Sequence, residues 1–344
     1  MSRTFLFFFF LTVLSACASY RYVDIETYNA AAITFPPEMR RFLIVNNALP
    51  QDEVPFETTY DQLPDTIIIS ADSAAYDFCR TLGEVLAEFQ HFDDVRLLEG
   101  CLRRDMSPLD APLIPRNEVE LLCEEHETDI IISLDRLLFR LNEHAGVLYG
   151  FRMKKVIDIE LTGILRVYVP GRDTYLTSIL LNDTITPELW FDYNETDIRE
   201  FLFPPDEPDI LRQSAIFVAN QVSKNFAPYW NKDIRWYYTS PDSRWKEATA
   251  YTDFEKWDKA LEIWTELYRR TTAWKQRARL CSNLALTLEM TGDMEQALKY
   301  AKESHQLMHD HLGADNVITK KQEVYVNVLT SRITDEQKLR LQVQ

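Results

Sequence analysis

The chain has 344 residues, of which 46% are apolar and 26% are charged, so it can bury a large hydrophobic core and is not disordered throughout. Its 37 Lys and Arg residues against 54 Asp and Glu residues give a formal charge of −17, which disfavours nucleic acid as a partner because both molecules would be negative. Its eight glycines do not cluster, which disfavours the glycine-rich loops that bind nucleotide phosphates.

Residues 1–16 have the pattern of a secretory signal peptide. Arg3 supplies a positive start, residues 5–13 are apolar, and Leu14-Ser15-Ala16 precede Cys17. This ending resembles the bacterial lipobox, which implies cleavage before Cys17 and acylation of its thiol. Ala18 follows the cysteine where an Asp would signal retention in the inner membrane, so we expect a lipid anchor on the periplasmic face of the outer membrane. An ordinary secretory signal peptide is the alternative.

Residues 17–38 show no clear periodicity and predict a tether between the lipid and the fold. An α/β domain is expected over residues 39–240, with its elements in the order β-α-β-α-β-β-β-α. Its first strand is the apolar run at 42–45, and its last helix begins near Asp206 and ends before Pro228. This order predicts a mixed sheet with helices on one or both faces.

The order of elements resembles that of the TolB N-terminal and CsgG-like α/β domains, which implies protein binding without a catalytic centre. The segments Ile25 to Tyr28, Phe35 to Pro37 and Phe42 to Asn47 also resemble an uncharacterised lipoprotein family of Bacteroides-like bacteria. That second resemblance implies no known activity.

Four cysteines follow Cys17 in the chain. Cys79 and Cys281 lie in apolar helical patterns and are expected to be buried as small hydrophobic side chains. A disulfide between Cys101 and Cys123 stays open as an alternative in an oxidising compartment.

Residues 241–344 predict an all-α domain. Ala260-Leu261 and Ala297-Leu298 repeat at a spacing slightly longer than the ~34 residues of a tetratricopeptide unit, and Thr291-Gly292-Asp293 resembles the turn of that repeat. About three units are normally needed for stability, so residues 316–333 predict a capping helix. The acidic excess belongs to residues 1–240, because basic and acidic residues are equally numerous in the C-terminal region.

The tetratricopeptide resemblance implies a concave groove for a protein or peptide partner. The residues predicted to line it are Trp245, Thr249, Asp253, Ser282 and Leu286. The junction near residues 230–250 is rich in aromatic side chains, which either attach the repeats to the α/β domain or meet a partner, and the short linker favours attachment. These side chains are Trp230, Trp236, Tyr237, Tyr238 and Trp245.

Three triplets resemble the periplasmic O-glycosylation signal of Bacteroides-type bacteria. They would place sugars on Thr66, Ser73 and Thr184. Ser73 alternatively caps the helix that follows it.

We expect no catalytic residue, no cofactor and no metal. His305, His309 and His311 could place two imidazoles on one helical face, but no zincin pattern accompanies them. Common hydrolase motifs are also absent from the sequence. The sequence therefore predicts a membrane-anchored binding or scaffolding protein. A cell-envelope hydrolase or metal-dependent enzyme is the alternative, which a deep polar pocket would favour.

Overall fold

The computed structural model describes residues 20–51, 54, 56–58, 73–103, 107–149, 152–186, 188–192 and 207–343. The predicted signal peptide, Cys17 and Thr66 lie outside the described residues. The chain divides into two compact units. The helical unit consists of the described residues up to Ala30 together with Tyr229–Leu341, and the sheet unit consists of Ala31–Pro228 with the residues from Gln342 onward.

The elements below are those of the described residues. The strands are β1 (Tyr20–Asn29), β2 (Arg41–Asn46), β3 (Phe56–Thr58), β4 (Asp94–Cys101), β5 (Ile130–Tyr149), β6 (Arg152–Tyr168), β7 (Thr177–Ile185), β8 (Glu188–Asp192) and β9 (Tyr229–Tyr238). The helices are α1 (Ala74–Glu88), α2 (Arg116–Glu125), α3 (Glu207–Ser223), α4 (Ser243–Asp253), α5 (Trp257–Arg270), α6 (Trp274–Thr291), α7 (Met294–Leu312) and α8 (Val317–Gln342). The predicted fold class is confirmed: an α/β region with a mixed sheet precedes an all-helical region of five helices.

Seven strands form one mixed sheet in the described part of the sheet unit. Its main path is β4-β2-β5-β6-β7, in which β2 is parallel to β4 and β5 while the later strands are antiparallel. The short strands β3 and β8, which the sequence did not predict, pair with the far ends of β5 and β6. β5 and β6 therefore extend past the part of the sheet that includes β2, and β3 and β8 pair with these extensions.

Both faces of β2 are covered, which explains why it is a continuous apolar run in the sequence. Phe42 and Ile44 belong to the core that contains α1 and α3, whereas Leu43 and Val45 belong to the core that contains α2. Successive residues of a strand point to opposite faces, so one strand supplies both cores.

In the helical unit, α4 to α7 pack in succession, each against its neighbour. Gly292 ends α6 with a φ of 88°, a left-handed conformation that glycine adopts without strain. Asp293 then caps α7 by accepting a hydrogen bond from Gln296 N at 3.2 Å. Residues 317–333 of the predicted capping helix lie in the longer helix α8.

A two-stranded ribbon, β1 with β9, completes the helical unit and corrects the predicted boundaries. The strands pair antiparallel from Tyr20 opposite Tyr238 to Asn29 opposite Tyr229. The tether predicted over residues 17–38 is therefore wrong for residues 20–29, and β9, which falls within the predicted α/β domain over 39–240, packs in the helical unit. A strand whose partner is distant in the sequence leaves little local signal, which is why both were missed.

Candidate functional site

The ribbon lies against α6, the helix that carries the predicted groove residues Ser282 and Leu286. The residues of α6 from Leu280 to Glu289 are all buried. A stretch of that length makes more than two helical turns, so every side of the helix is covered there. Part of the cover is β9, whose main chain at Tyr238 is hydrogen-bonded by Asn283.

Four of the five predicted groove residues are consequently core residues. Trp245, Thr249, Ser282 and Leu286 are all buried. Trp245 Nε1 donates to Tyr238 O at 2.8 Å, and its ring lies edge-on to that of Trp264. The prediction that these four side chains contact a partner is wrong, because the protein's own ribbon and helices fill the space around them.

Asp253 is the one predicted groove residue whose side chain is partly exposed, at 37%. Its carboxylate pairs with Arg21 Nη1 at 2.7 Å and accepts a hydrogen bond from the Tyr237 hydroxyl. Burial, followed by the bond to Asp253, raises the pKa of Tyr237, so the phenol stays protonated as the donor. Asp253 therefore joins α4 to both strands of the ribbon.

A buried ion network joins the ribbon to α6 and α8. The carboxylate of Glu289 has no exposed surface and accepts hydrogen bonds from Arg235 Nη2 at 3.0 Å, from the Tyr325 hydroxyl at 2.8 Å and from Arg332. Burial lowers the pKa of Arg235. Its hydrogen bonds to Glu289 and the negative charge of Glu289 outweigh burial, so the Arg235 pKa is raised overall. Burial and the charge of Glu289 raise the pKa of Tyr325 well above its usual value. Both groups are thus held in the form that donates to Glu289.

A cavity of about 260 Å³, here called the ribbon cleft, lies beside this network. Its walls are one end of the ribbon, the end of α6 and the second half of α8. The lining residues are Glu26, Tyr28, Asn29, Trp230, Glu289, Met290, Gly292, Arg332, Asp335, Glu336 and Leu339. Tyr28 and Trp230 are cross-strand partners whose ring centroids are 5.0 Å apart, and Trp230 is 67% exposed.

The charges that line the ribbon cleft favour a cation. Glu289 is paired with Arg235 and Arg332, and Asp335 lies 4.0 Å from Lys338 Nζ. Glu26 and Glu336 bring the carboxylates around the cleft to one more than these three cations, so the local charge is negative. Aromatic rings attract cations through the negative faces of their π-systems, and tryptophan does so most strongly. The combination of Tyr28 and Trp230 with the carboxylates of Glu26 and Glu336 is suited to an ammonium or guanidinium group.

A second depression, of about 670 Å³, lies on α5. Its lining residues, which all belong to that helix, are Asp258, Leu261, Glu262, Thr265, Glu266, Arg269 and Arg270. A single helix supplies no opposing wall, so this depression encloses a ligand less than the ribbon cleft does.

The sheet unit contains a buried polar cluster around Asp135, which the sequence did not single out. The carboxylate accepts hydrogen bonds from Asn47 Nδ2 at 3.0 Å, Ser133 Oγ at 2.5 Å, Arg166 Nη1 at 2.6 Å and the Tyr168 hydroxyl at 3.1 Å. A carboxylate has about four acceptor positions, so these donors saturate it. Burial, followed by the nearby Asp135 charge, raises the pKa of Tyr168 to about 12. The cluster holds together the ends of β2, β5 and β6.

The three histidines considered for metal binding do not converge. The rings of His305 and His309 are 6.1 Å apart, but His311 stacks on Trp274 at 4.2 Å and its Nδ1 lies 3.0 Å from Leu307 O. Within the described residues, no three His, Cys, Asp or Glu side chains are arranged to hold a metal ion.

The four cysteines within the described residues are free thiols, so Cys101 and Cys123 are not bridged. Cys79 and Cys281 are buried, as expected, and burial raises the pKa of both thiols. Neither is therefore an activated nucleophile.

Two of the predicted glycosylation residues can be located in the structure. Ser73 and Thr184 are both exposed, and the Ser73 side chain makes no capping hydrogen bond to α1. Their modification stays a prediction. Among the described helices, none has the length and apolar character required to cross a bilayer.

Comparison with solved structures gives remote similarities. A hemagglutinin homolog from Helicobacter pylori is 13% identical, with 56% of this chain and 86% of that chain covered and a TM-score of 0.29. A minor lipoprotein from Acinetobacter baumannii is 10% identical, with 55% of this chain and 94% of that chain covered and a TM-score of 0.23. At these scores the similarities do not establish a shared fold. No curated protein matches the chain.

Comparison with family profiles gives two matches, both to domains of unknown function. DUF6340 matches residues 246–331, which lie in the helical unit. DUF8603 matches residues 39–238, from just before β2 to the end of β9. Since this second match covers more than half of the chain, the protein belongs to the DUF8603 family.

Proposed function

We propose that this protein is a lipid-anchored protein of the cell envelope that binds a protein partner without catalysing a reaction. The ribbon cleft receives a basic side chain of that partner. The observation that carries the proposal is the presence, in one cavity, of an exposed indole and of two carboxylates, Glu26 and Glu336, in addition to the ion-paired Glu289 and Asp335.

The size of the ribbon cleft supports a side chain as its occupant. A cavity of about 260 Å³ is smaller than the ~300–1,000 Å³ of typical small-molecule pockets, but it accommodates one lysine or arginine. The overall charge of −17 would also attract a basic partner over a longer range and speed their association.

The anchor is proposed from Leu14-Ser15-Ala16-Cys17, with Cys17 as the acylated first residue of the mature protein. Each buried methylene of an acyl chain contributes ~0.8 kcal/mol, so two or three chains hold a protein firmly at a bilayer. Ala18 in the next position supports the periplasmic face of the outer membrane.

We further infer that α4 to α8 are a tetratricopeptide-type array whose inner face is occupied by the ribbon. Ala260 and Ala297, equivalent in the two repeats, are both fully buried, which fits small residues at helix crossings. Since the ribbon covers α6, the partner would bind at the ribbon cleft and not along the inner helices.

A titration with pentalysine tests the cleft. We expect Trp230→Ala and Glu336→Gln each to weaken binding of this peptide about two- to fivefold, corresponding to ~0.5–1 kcal/mol for a cation–π or exposed ion-pair contact. Glu262→Gln, which removes an exposed carboxylate from α5, is the matched control and should leave the affinity unchanged. Equal weakening by all three variants would show only general charge attraction and would contradict the cleft as the binding site.

Mass spectrometry of the mature N-terminus tests the anchor. An acylated Cys17 is expected, and Cys17→Ser should move the protein from the membrane fraction to the soluble fraction. A mature chain that begins elsewhere, or carries an unmodified Cys17, would contradict it.

A further inference from the structure

The end of the ribbon opposite the ribbon cleft presents an exposed aromatic and apolar surface. Tyr20 and Tyr22 are 45% and 59% exposed, and their rings meet edge to face at 5.5 Å. Phe254 is 74% exposed and directly follows Asp253, which pairs with Arg21 at 2.7 Å. These side chains therefore lie near the first residues of β1.

The start of α8 extends this surface. Val317 and Ile318 are 80% and 38% exposed. One helical turn later, Lys321 Nζ lies 4.3 Å from the ring centre of Tyr20 and 4.9 Å from that of Tyr22. We call Tyr20, Tyr22, Phe254, Val317, Ile318 and Lys321 the proximal rim.

The position of the proximal rim in the chain indicates what covers it. Tyr20 lies only three positions after Cys17, and an extended chain spans at most ~3.3–3.6 Å per residue. Tyr20 can therefore be no more than about 11 Å from Cys17. A lipid attached to that cysteine would hold the rim within reach of the headgroup layer.

The chemistry of the rim also fits a membrane surface. Tyrosine is enriched at the membrane–water interface because its ring is apolar and its hydroxyl is polar. Exposed Val, Ile and Phe side chains can enter the acyl boundary, while a lysine reaches toward headgroup phosphates. Two of the nearby acids, Asp253 and Asp315, are paired with Arg21 and Lys320, so these two oppose anionic lipid less than free carboxylates would.

We propose that the proximal rim rests in the headgroup layer of the membrane that holds Cys17, and so fixes the orientation of the helical unit. This inference rests on the proposed lipid anchor. It has a consequence for the ribbon cleft, because Tyr28 lies eight residues along β1 from Tyr20, or about 26 Å at ~3.3 Å per residue. The cleft is thereby held away from the bilayer, where a partner can reach it.

The test uses the full mature, acylated chain in vesicles of phosphatidylethanolamine and phosphatidylglycerol at about 3:1. A bimane fluorophore is attached through Phe254→Cys in one sample and through Leu341→Cys in the other. Leu341 is 60% exposed and belongs to the same unit, but it lies 24 residues along α8 from Val317, or about 36 Å at ~1.5 Å per residue. The unsubstituted chain, treated with the same reagent, corrects for labelling of the native thiols.

We expect a headgroup-level nitroxide lipid to quench bimane at position 254 at least threefold more than bimane at position 341. Tyr22→Ala combined with Ile318→Ala should reduce that difference, and circular dichroism should show the fold retained. Equal quenching at both positions, in a sample whose Cys17 is shown by mass spectrometry to be acylated, would overturn the proximal rim and leave the anchor standing. An unmodified Cys17 with equal quenching would overturn both proposals.

Discussion

Asn283 on α6 forms a reciprocal pair of hydrogen bonds with the main chain of Tyr238 on β9. Tyr238 N donates to Asn283 Oδ1 at 2.7 Å, and Asn283 Nδ2 donates to Tyr238 O at 2.8 Å. The Asn283 side chain therefore satisfies both main-chain polar groups of Tyr238, as a neighbouring strand would, and attaches the ribbon to α6.

Asn283→Ala should destabilise the helical unit by about 1–3 kcal/mol, because it leaves the buried Tyr238 N without its acceptor. Tyr238 O loses less, since it retains the bond from Trp245 Nε1 at 2.8 Å. Urea unfolding measures the change, with Gln276→Ala at an exposed position of the same helix as the control. A loss of unfolding free energy no larger than that of Gln276→Ala would mean that water hydrogen-bonds to Tyr238 N in the Asn283→Ala variant.

Glu289→Gln should destabilise the helical unit by about 3–5 kcal/mol, because Arg235 and Arg332 would lose the carboxylate that compensates them. Glu336→Gln, the same substitution on a half-buried residue of the same cavity, should change stability by less than about 1 kcal/mol. Denaturant unfolding of both variants checks the difference. Similar stabilities for the two would argue against a strongly coupled buried network.

The predictable elements are those whose buried residues follow a periodic pattern within the element's own sequence. The run at 42–45 is apolar because β2 is covered on both faces, and α1 carries its buried residues three or four positions apart. The ribbon has a weaker pattern. In β1 only Ile25 and Thr27 are buried, and the strand that pairs with it is β9.

The candidate site depended on that missing ribbon. Trp245, Thr249, Ser282 and Leu286 were predicted to line a groove from their positions in a repeat, and those positions become core once the ribbon covers α6. The ribbon cleft itself unites residues from β1, β9, α6 and α8. The cross-strand pair of Tyr28 and Trp230 follows from register alone, so no local motif could have indicated it.

Two glycines of the sheet unit should respond to alanine in opposite directions. A Cβ at Gly163 would lie 2.7 Å from Arg136 O and 3.0 Å from Leu181 Cδ1, so Gly163→Ala should cost about 1–3 kcal/mol. At Gly83, within α1, a Cβ would meet Ile44 Cγ1 at an ordinary 3.6 Å. Gly83→Ala should therefore stabilise by about 0.5–1 kcal/mol through helix propensity. Thermal unfolding compares them, and a destabilised Gly83→Ala would show that the core around β2 has no room for a methyl group.

His91 should make the sheet unit less stable as the pH falls below about 6.5, the usual pKa of a histidine side chain. Burial, followed by the positive charge of Arg40, lowers the pKa of His91 below its usual value of about 6.5. The unfolded chain then binds a proton at a higher pH than the folded chain does. The stabilisation is accordingly complete above pH ~6.5 and is lost as the pH falls from there to the pKa of the folded state. We expect His91→Gln to reduce the slope of unfolding free energy against pH between about 5 and 7, and an NMR titration of the His91 ring should give the lowered pKa directly. An unchanged slope in His91→Gln, together with an ordinary pKa for the ring, would contradict this assignment.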